Sequence, residues 1–290
     1  MITFFLGELY LLSTHYSHGT ILIDYRRRMK MILLSNLENR AFSVCLYSNR
    51  KTKLCSFRIY ADKMKSEVEY LDSILQFFRL NEIDKEDIDG CILSSVVPSL
   101  TKRIQNAIER ATGTKCMVVC KKLKTGLALR TDNPSEVGSD LIANGIGALS
   151  DYDEDCLIVS LSTVLSFSVV TKKKEFIGCS LFPGLLSSSE TMWNNCAQLM
   201  DIDLSIPDRL IGKSTKESMN SGIVGGYLCL IENFSDQIER EFKSPLKRIL
   251  TGSDMSIVKN RLFSQFECNP DLTFDGLYEI YIKNKEKYYE

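Results

Sequence analysis

The sequence predicts an α/β fold made of two similar halves with a cleft between them, and three observations carry that prediction. From Met31 onward, strand-like and helix-like apolar patterns alternate along the chain. A set of strands near the start recurs after the midpoint: Leu157 to Phe176 repeats the strand, polar turn, strand, charged turn design of Leu33 to Lys51. The composition, 44% apolar and 25% charged over 290 residues, supplies a core of the necessary size.

The elements follow in order. Residues 31 to 60 hold three apolar or alternating runs separated by polar turns such as Ser48-Asn49-Arg50, which is the pattern of a β-meander. Ser66 is a good N-cap for a helix whose apolar positions Val68, Leu71, Ile74, Leu75 and Phe78 recur at helical spacing. A buried strand (CILSSVV) comes next, then a helix from Ser99 to about Ala111 that stops at Gly113. The strand KCMVVC and a helix from about Ser135 through Ala148 complete the first half. The second half opens with the repeated strands, in which Asn36 falls on Ser160, Glu38 on Ser162 and Asn39 on Thr163 in gap-free register. It continues with Pro183-Gly184, a helix around Ser188 to Leu199, a long helix from Ser214 to about Phe242, the strand RILTG and C-terminal helices. The domain reading is therefore an extension over 1–30, an N-terminal half over 31–155 and a C-terminal half over 156–290.

Charge and composition exclude several classes. Thirty-six Lys plus Arg against thirty-seven Asp plus Glu leave a net charge of -1, so nucleic acid is not an expected partner. No run approaches the ~20 apolar residues of a membrane span, and a cytoplasmic protein is expected. Ten cysteines lack the spacing of a disulfide framework, and Cys45, Cys91, Cys156, Cys179 and Cys229 read as reduced, mostly buried thiols. Cys116 and Cys120 are too far apart along a strand to share a zinc ion. His15 and His18 are the only histidines, so an imidazole-based hydrolase is disfavoured. Both stand in a first segment that makes a poor signal peptide, and translation starting at Met29 or Met31 is the preferred reading over a genuine extension.

Motifs divide into those that fail and one that informs. Gly212-Lys213-Ser214-Thr215 ends like a phosphate-binding loop, but Pro207 stands where that loop needs its first glycine. Gly222, Gly225 and Gly226 read as packing residues inside a helix rather than a dinucleotide fingerprint. The stretch Asp132-Asn133-Pro134-Ser135-Glu136-Val137-Gly138-Ser139-Asp140 gives a turn, small residues that admit a ligand, and a carboxylate at the start of an apolar helix. On spacing alone, a carboxylate that favours the helix dipole is the more ordinary reading of Asp140 than a catalytic base.

Five blocks in order shift that balance. SSVVP (94–98), TGL followed by DNPSEVGSD (125–140), FPGLLSSSE (182–190), IGKSTKESMNSGIVGGY (211–227) and LTGS (250–253) closely resemble type III pantothenate kinase. The resemblance covers essentially all of the chain from Met31. It implies the actin-like, sugar-kinase-like ATPase fold, a homodimer, and transfer of the ATP γ-phosphoryl group to pantothenate, the first step of coenzyme A synthesis. ATP, Mg²⁺ and a monovalent cation, K⁺ or NH₄⁺, are the implied cofactors.

Residue by residue, the resemblance implies that Asp140 is the general base toward the pantothenate hydroxyl. Gly138 and Ser139 match the substrate loop around it, and Thr215 matches a substrate-contacting threonine. Leu141 stands where the family has an arginine, and Thr131 where it has a tyrosine. The first phosphate loop of the family, Asp-x-Gly-Asn-Thr, is here Asn36-Leu37-Glu38-Asn39-Arg40, which keeps only Asn39. The second, Asp-x-Gly-Thr, is here Ser160-Leu161-Ser162-Thr163, which keeps only Thr163 and puts Ser160 at the monovalent-cation aspartate. Phosphoryl transfer depends on positioning and charge neutralisation, so the loss of both carboxylates removes a main source of rate. Glu38 adds a like charge, which at 4 Å costs about 1 kcal/mol in water and roughly 4 at an effective dielectric of 20. The expected protein is a pantothenate kinase-like pseudoenzyme with activity lost or strongly reduced. An active kinase with a rearranged phosphate site is the alternative.

Overall fold

The computed structural model describes residues 30–120 and 123–289, so His15, His18 and the choice of start lie outside the described residues. The meander forms as expected. Strands β1 (Met31–Leu37), β2 (Ala41–Ser48) and β3 (Lys53–Tyr60) pair antiparallel in succession. Helix α1 (Glu67–Leu80) starts at a capping box, in which the Ser66 hydroxyl accepts from the Glu69 N–H and the Glu69 carboxylate accepts from the Ser66 N–H. Leu71, Ile74 and Phe78 face the core with Tyr70 and Phe77, while Val68 is exposed. Strand β4 (Ile88–Ser95), helix α2 (Pro98–Thr112), which ends at Gly113 in the left-handed region, and strand β5 (Cys116–Val118) complete a five-stranded sheet ordered β3-β2-β1-β4-β5.

The next helix is shorter than the sequence suggests. After a single 3₁₀ turn at Pro134–Glu136 the backbone is extended at Val137 and Gly138, and α3 runs Ser139–Asp151. Strands β7 (Cys156–Leu161), β8 (Val164–Thr171) and β9 (Glu175–Pro183) then repeat the meander, and β10 (Lys247–Thr251) and β11 (Glu267–Cys268) extend it by parallel pairing. Their order, β9-β8-β7-β10-β11, is that of the first sheet. The duplication is therefore a matter of topology as well as of pattern. Gap-free register holds only as far as the turn: three residues (38–40) separate β1 from β2, whereas two (162–163) separate β7 from β8. An edge strand β6 (Ala128–Leu129) from the first half of the chain joins the second sheet beside β9.

Helix α4 spans Leu185–Asn195 rather than 188–199. The long helix is continuous but uneven: α5 (Thr215–Asn220), a π-helical turn (Ser221–Gly225) and α6 (Gly226–Phe242). Packing explains only Gly225, whose added Cβ would meet Leu210 and Pro207. Gly222 and Gly226 face open space, which corrects the packing expectation for those two. Helices α7 (Met255–Leu262) and α8 (Leu272–Tyr289) finish the chain.

The layers follow from which strand faces are apolar. One face of the first sheet (Leu33, Leu37, Val44, Leu93) packs on α1 and α2, and its other face (Ile32, Leu34, Ile92) packs on α3 and α8. The same two helices cover the inner face of the second sheet (Ile158, Val170, Ile249), whose outer face (Leu157, Val159, Phe167) packs on α6 and α7. The C-terminal helix thus returns to lie between the sheets. Its Gly276 lies against the Ala143 carbonyl of α3, an approach that no side chain would permit. No disulfide joins the cysteines among the described residues, but Cys179 and Cys229 are exposed, together with Cys120 and Cys196. That corrects the expectation of mostly buried thiols: Cys179 points away from the core of a half-exposed strand, and Cys229 lies on the outer face of α6.

Candidate active site

Both sheets end in the same kind of turn. Side chains alternate along β1, so Asn36 shares the inner face with Ile32 and Leu34, and Ser160 shares the inner face of β7 with Ile158. Register aligns Arg58, Ser43, Asn36 and Ser94 across β3, β2, β1 and β4. A polar row therefore crosses the first sheet toward the start of α3. In the second sheet Ser160 lies between Ser166 and Thr251.

The row continues into α3. The Ser139 and Ser94 hydroxyls are 2.9 Å apart, the Ser95 N–H donates to Ser139 Oγ at 3.1 Å, and Ser139 Oγ donates to the Ser95 carbonyl at 3.1 Å. Ser139 thereby pins the start of α3 to the end of β4. Asp140 follows it, with Oδ1 accepting from the Leu141 N–H at 2.9 Å and lying close over Gly138, where a Cβ would collide with it. Burial pushes the Asp140 carboxyl above the usual carboxylate range, and backbone N–H groups offset part of that push.

Three carboxylates converge here. Glu38 is pushed up first by burial, and Asp140 and Asp254 add to the shift while the Arg58 guanidinium opposes it. Asp254 is likewise raised by burial, against the Ser253 hydroxyl, Arg58 and Arg40. The contact from Arg58 to Glu38 is 3.4 Å, too long for a strong pair. Arg40 turns elsewhere: its Nη1 donates to Glu190 Oε1 at 2.7 Å and its Nη2 donates to Glu190 Oε2, a bidentate pair between the first turn and α4.

The second turn is small and neutral. Thr163 accepts at its carbonyl from the Gly184 N–H and from Ser187 Oγ, both at 2.9 Å. Gly184 lies directly against the Ser162 and Thr163 carbonyls, where a Cβ would clash. Gly252, with φ +97°, makes the same close approach to Leu161 and brings Asp254 to the site, where its N–H donates to the Leu161 carbonyl at 3.0 Å. Burial and charge thus bring together Glu38, Arg40, Ser139, Asp140 and the turn at 160–163. Asn39 is exposed, Thr131 has a buried hydroxyl without a hydrogen-bond partner, and Leu141 packs partly against the inner core. Thr215 stands exposed at the start of α5, outside the set tied to Asp140 by hydrogen bonds or charge.

Of the two turns, the first offers one carboxylate, Glu38, and the second none; the Asn36 amide oxygen is buried without a partner, Ser160 offers a neutral hydroxyl, and no group of three or more Asp, Glu, His or Cys among the described residues is placed to hold a metal ion.

A family model described as type III pantothenate kinase matches residues 32–237. A type III pantothenate kinase from Persephonella marina is 33% identical over 251 residues, covering 87% of this chain and 98% of that protein. The chain belongs to the type III pantothenate kinase family. Solved structures agree on the fold alone. A protein from Campylobacter jejuni described as a Baf family transcriptional activator has a TM-score of 0.54 at 16% identity, covering 88% of this chain and 99% of its own. The activator of a 2-hydroxyisocaproyl-CoA dehydratase from Clostridium difficile, solved with bound ADPNP, has a TM-score of 0.50 at 9% identity, covering 90% and 98%. The fold is that of the actin-like, sugar-kinase-like ATPases.

Arg58, Glu190 and Asp254 went unread in the sequence analysis. Glu190 closes the FPGLLSSSE block and Asp254 directly follows LTGS, so proximity to a motif was the available signal. Arg58 had none, because only cross-strand register carries it to Asn36.

Proposed function

We propose that this member of the family keeps a pantothenate pocket while ATP-dependent phosphorylation of pantothenate is lost or strongly reduced. The observation that carries the reading is the half-buried Glu38 carboxylate at the first phosphate turn, within reach of the charges of Asp140 and Asp254 and with only a long contact to Arg58. A nucleotide triphosphate brought there meets like charge in a partly desolvated place. Gly138, Ser139 and Asp140 are the substrate loop in this reading, with Leu141 and Thr131 beside it, and Thr215 at the start of the long helix is the substrate-contacting threonine although no hydrogen bond ties it to that loop. Asp140 acts as base in its ionised form, and its raised pKa makes that form a stronger proton acceptor. Asn39 and Thr163 remain as nucleotide contacts, and Ser160 marks the position of the monovalent cation, K⁺ or NH₄⁺.

The halves 31–155 and 156–290 are the two units around the cleft in this reading, and the protein acts in the cytoplasm as a homodimer. Exposed Leu181, Leu186, Leu210 and Ile211 on the second half support that association. No helix among the described residues is long and apolar enough to cross a membrane. A second reading, an active kinase with a rearranged phosphate site, draws on Arg40 and Arg58, whose guanidiniums stand beside the same turn.

The test is calorimetry with pantothenate, ATP and Mg²⁺ separately, together with a turnover assay. Pantothenate binding with weak ATP binding is the expected result. Restoring Asn36→Asp, Glu38→Gly, Ser160→Asp and Ser162→Gly together raises phosphotransfer, and any one alone does little. Turnover of pantothenate by the parent at an ordinary kinase rate refutes lost activity.

A further inference from the structure

The ion pairs that join the first sheet to elements beyond residue 139 fall into two places among the described residues. At one end of β2 and β3, Lys51 pairs with Asp151 and Glu279 at 3.2 and 3.3 Å, and Lys53 pairs with Asp271 at 2.6 Å. Tyr47 adds to this end by donating to Asp275 at 2.8 Å, and Tyr278 donates to the Asn49 carbonyl at 2.9 Å. At the other end of β2 stands a single pair, Arg40 with Glu190. The first group ties the sheet to α3 and α8, the layer common to both halves. The second joins the turn after β1 to α4, which follows the second sheet's meander.

Glu190 is held firmly on its own side. Ser187, one turn before it, donates to the Thr163 carbonyl. Ser188 and Tyr227 share a 2.6 Å hydrogen bond, and Tyr227 donates to the Pro183 carbonyl at 2.6 Å, which fixes α4 to α6. Arg40 belongs to the three-residue turn, one residue longer than its counterpart, that ends β1. A continuous path therefore runs from the first phosphate turn through Arg40, Glu190 and Ser187 to the second.

We infer that the Arg40–Glu190 pair is an autoinhibitory clasp, which holds the two phosphate turns together across the mouth of the cleft so that nucleotide enters only when it opens. The inference rests on the cleft being the family's nucleotide cleft, and it goes beyond the question of turnover. Both side chains are partly exposed, so the clasp biases closure modestly and is weakened by salt. Opening also frees a guanidinium whose fork matches a phosphate as well as it matches Glu190.

The experiment uses the full chain, the parent beside Glu190→Gln, which keeps Arg40. Hydrogen exchange of backbone amides in 38–41 and 162–165 is expected to quicken by about three- to fivefold in the variant, and by a similar factor in the parent at 0.5 M salt. The affinity for mant-ATP, titrated with Mg²⁺, is expected to rise by a comparable factor in the variant at low salt. Unchanged exchange overturns the clasp. Faster exchange with no gain in mant-ATP affinity, including the case where neither protein binds it, overturns its role as a gate. Turnover of pantothenate, measured separately, decides the reading of lost activity and leaves this result standing.

Discussion

The two phosphate turns occupy equivalent positions in duplicated sheets, yet they have solved opposite problems. The turn at 162–163 is uncharged and fixed from outside: the Gly184 N–H and Ser187 Oγ both donate to the Thr163 carbonyl, and Gly252 presses on Leu161 beside it. The turn at 38–40 is charged: besides the main-chain bonds from the Glu38 N–H to the Ala41 carbonyl and from the Ala61 N–H to the Arg40 carbonyl, Glu38 faces Arg58 and Arg40 pairs with Glu190. The comparison teaches that a turn's backbone frame and its side-chain chemistry are set separately, because main-chain contacts hold the frame and side chains supply the chemistry.

The sharpest break of the comparison is at Asp140, whose charge reaches Glu38 of the first turn. In the variant with both turns restored, Asp140→Asn is expected to remove about 10² to 10⁴ of the phosphotransfer rate while leaving the fold intact, as read by steady-state kinetics beside circular dichroism. If Asp140 serves only the helix dipole, the rate stays and stability falls by a few tenths to about 1 kcal/mol.

Next in size are the glycines behind the second turn. Gly252→Ala and Gly184→Ala should each lower unfolding free energy by about 3 kcal/mol in a denaturant titration, since the added Cβ meets main-chain carbonyls that cannot move aside. Asn39→Ala, in the exposed first turn, should stay within about 0.5 kcal/mol. Equal effects would erase the contrast between the two turns.

The pH dependence sharpens it further. The folded-state pKa of Glu38 is raised, so its contribution to stability is fully present below its unfolded pKa of about 4.3 and is lost as pH rises through the folded value. Glu38→Gln should therefore raise Tm by about 2 °C at pH 7, with the gain vanishing below about pH 4. Ser162→Ala should show no such pH dependence. The smallest effect belongs to the clasp: a double-mutant cycle with Arg40→Gln and Glu190→Gln should give a coupling of about 0.5 to 1 kcal/mol that shrinks in high salt.

Much of this was legible in one dimension. Ser66 as an N-cap, Gly113 after an apolar helix, and the repeat of 33–51 at 157–176 are local signals, and each appears where the pattern put it. The start of α3 was misjudged because Pro134 and Ser135 do open a helical turn, but only a 3₁₀ one, and the chain straightens at Val137 and Gly138 to let Ser139 reach β4. Gly222 and Gly226 were misjudged because small size is visible in a sequence and the neighbour it would serve is not.

What the sequence determined by itself was the order of elements and the family, since both are written in residue identity and near spacing. Only the tertiary structure decided that Glu38, Asp140 and Asp254 share one desolvated space, that Arg58 is brought to Asn36 by strand register, and that Arg40 spends its charge on Glu190. Those are pairs of residues 22 to 216 positions apart. Their energies depend on burial and distance, which a chain acquires only when its sheets and helices close around one another.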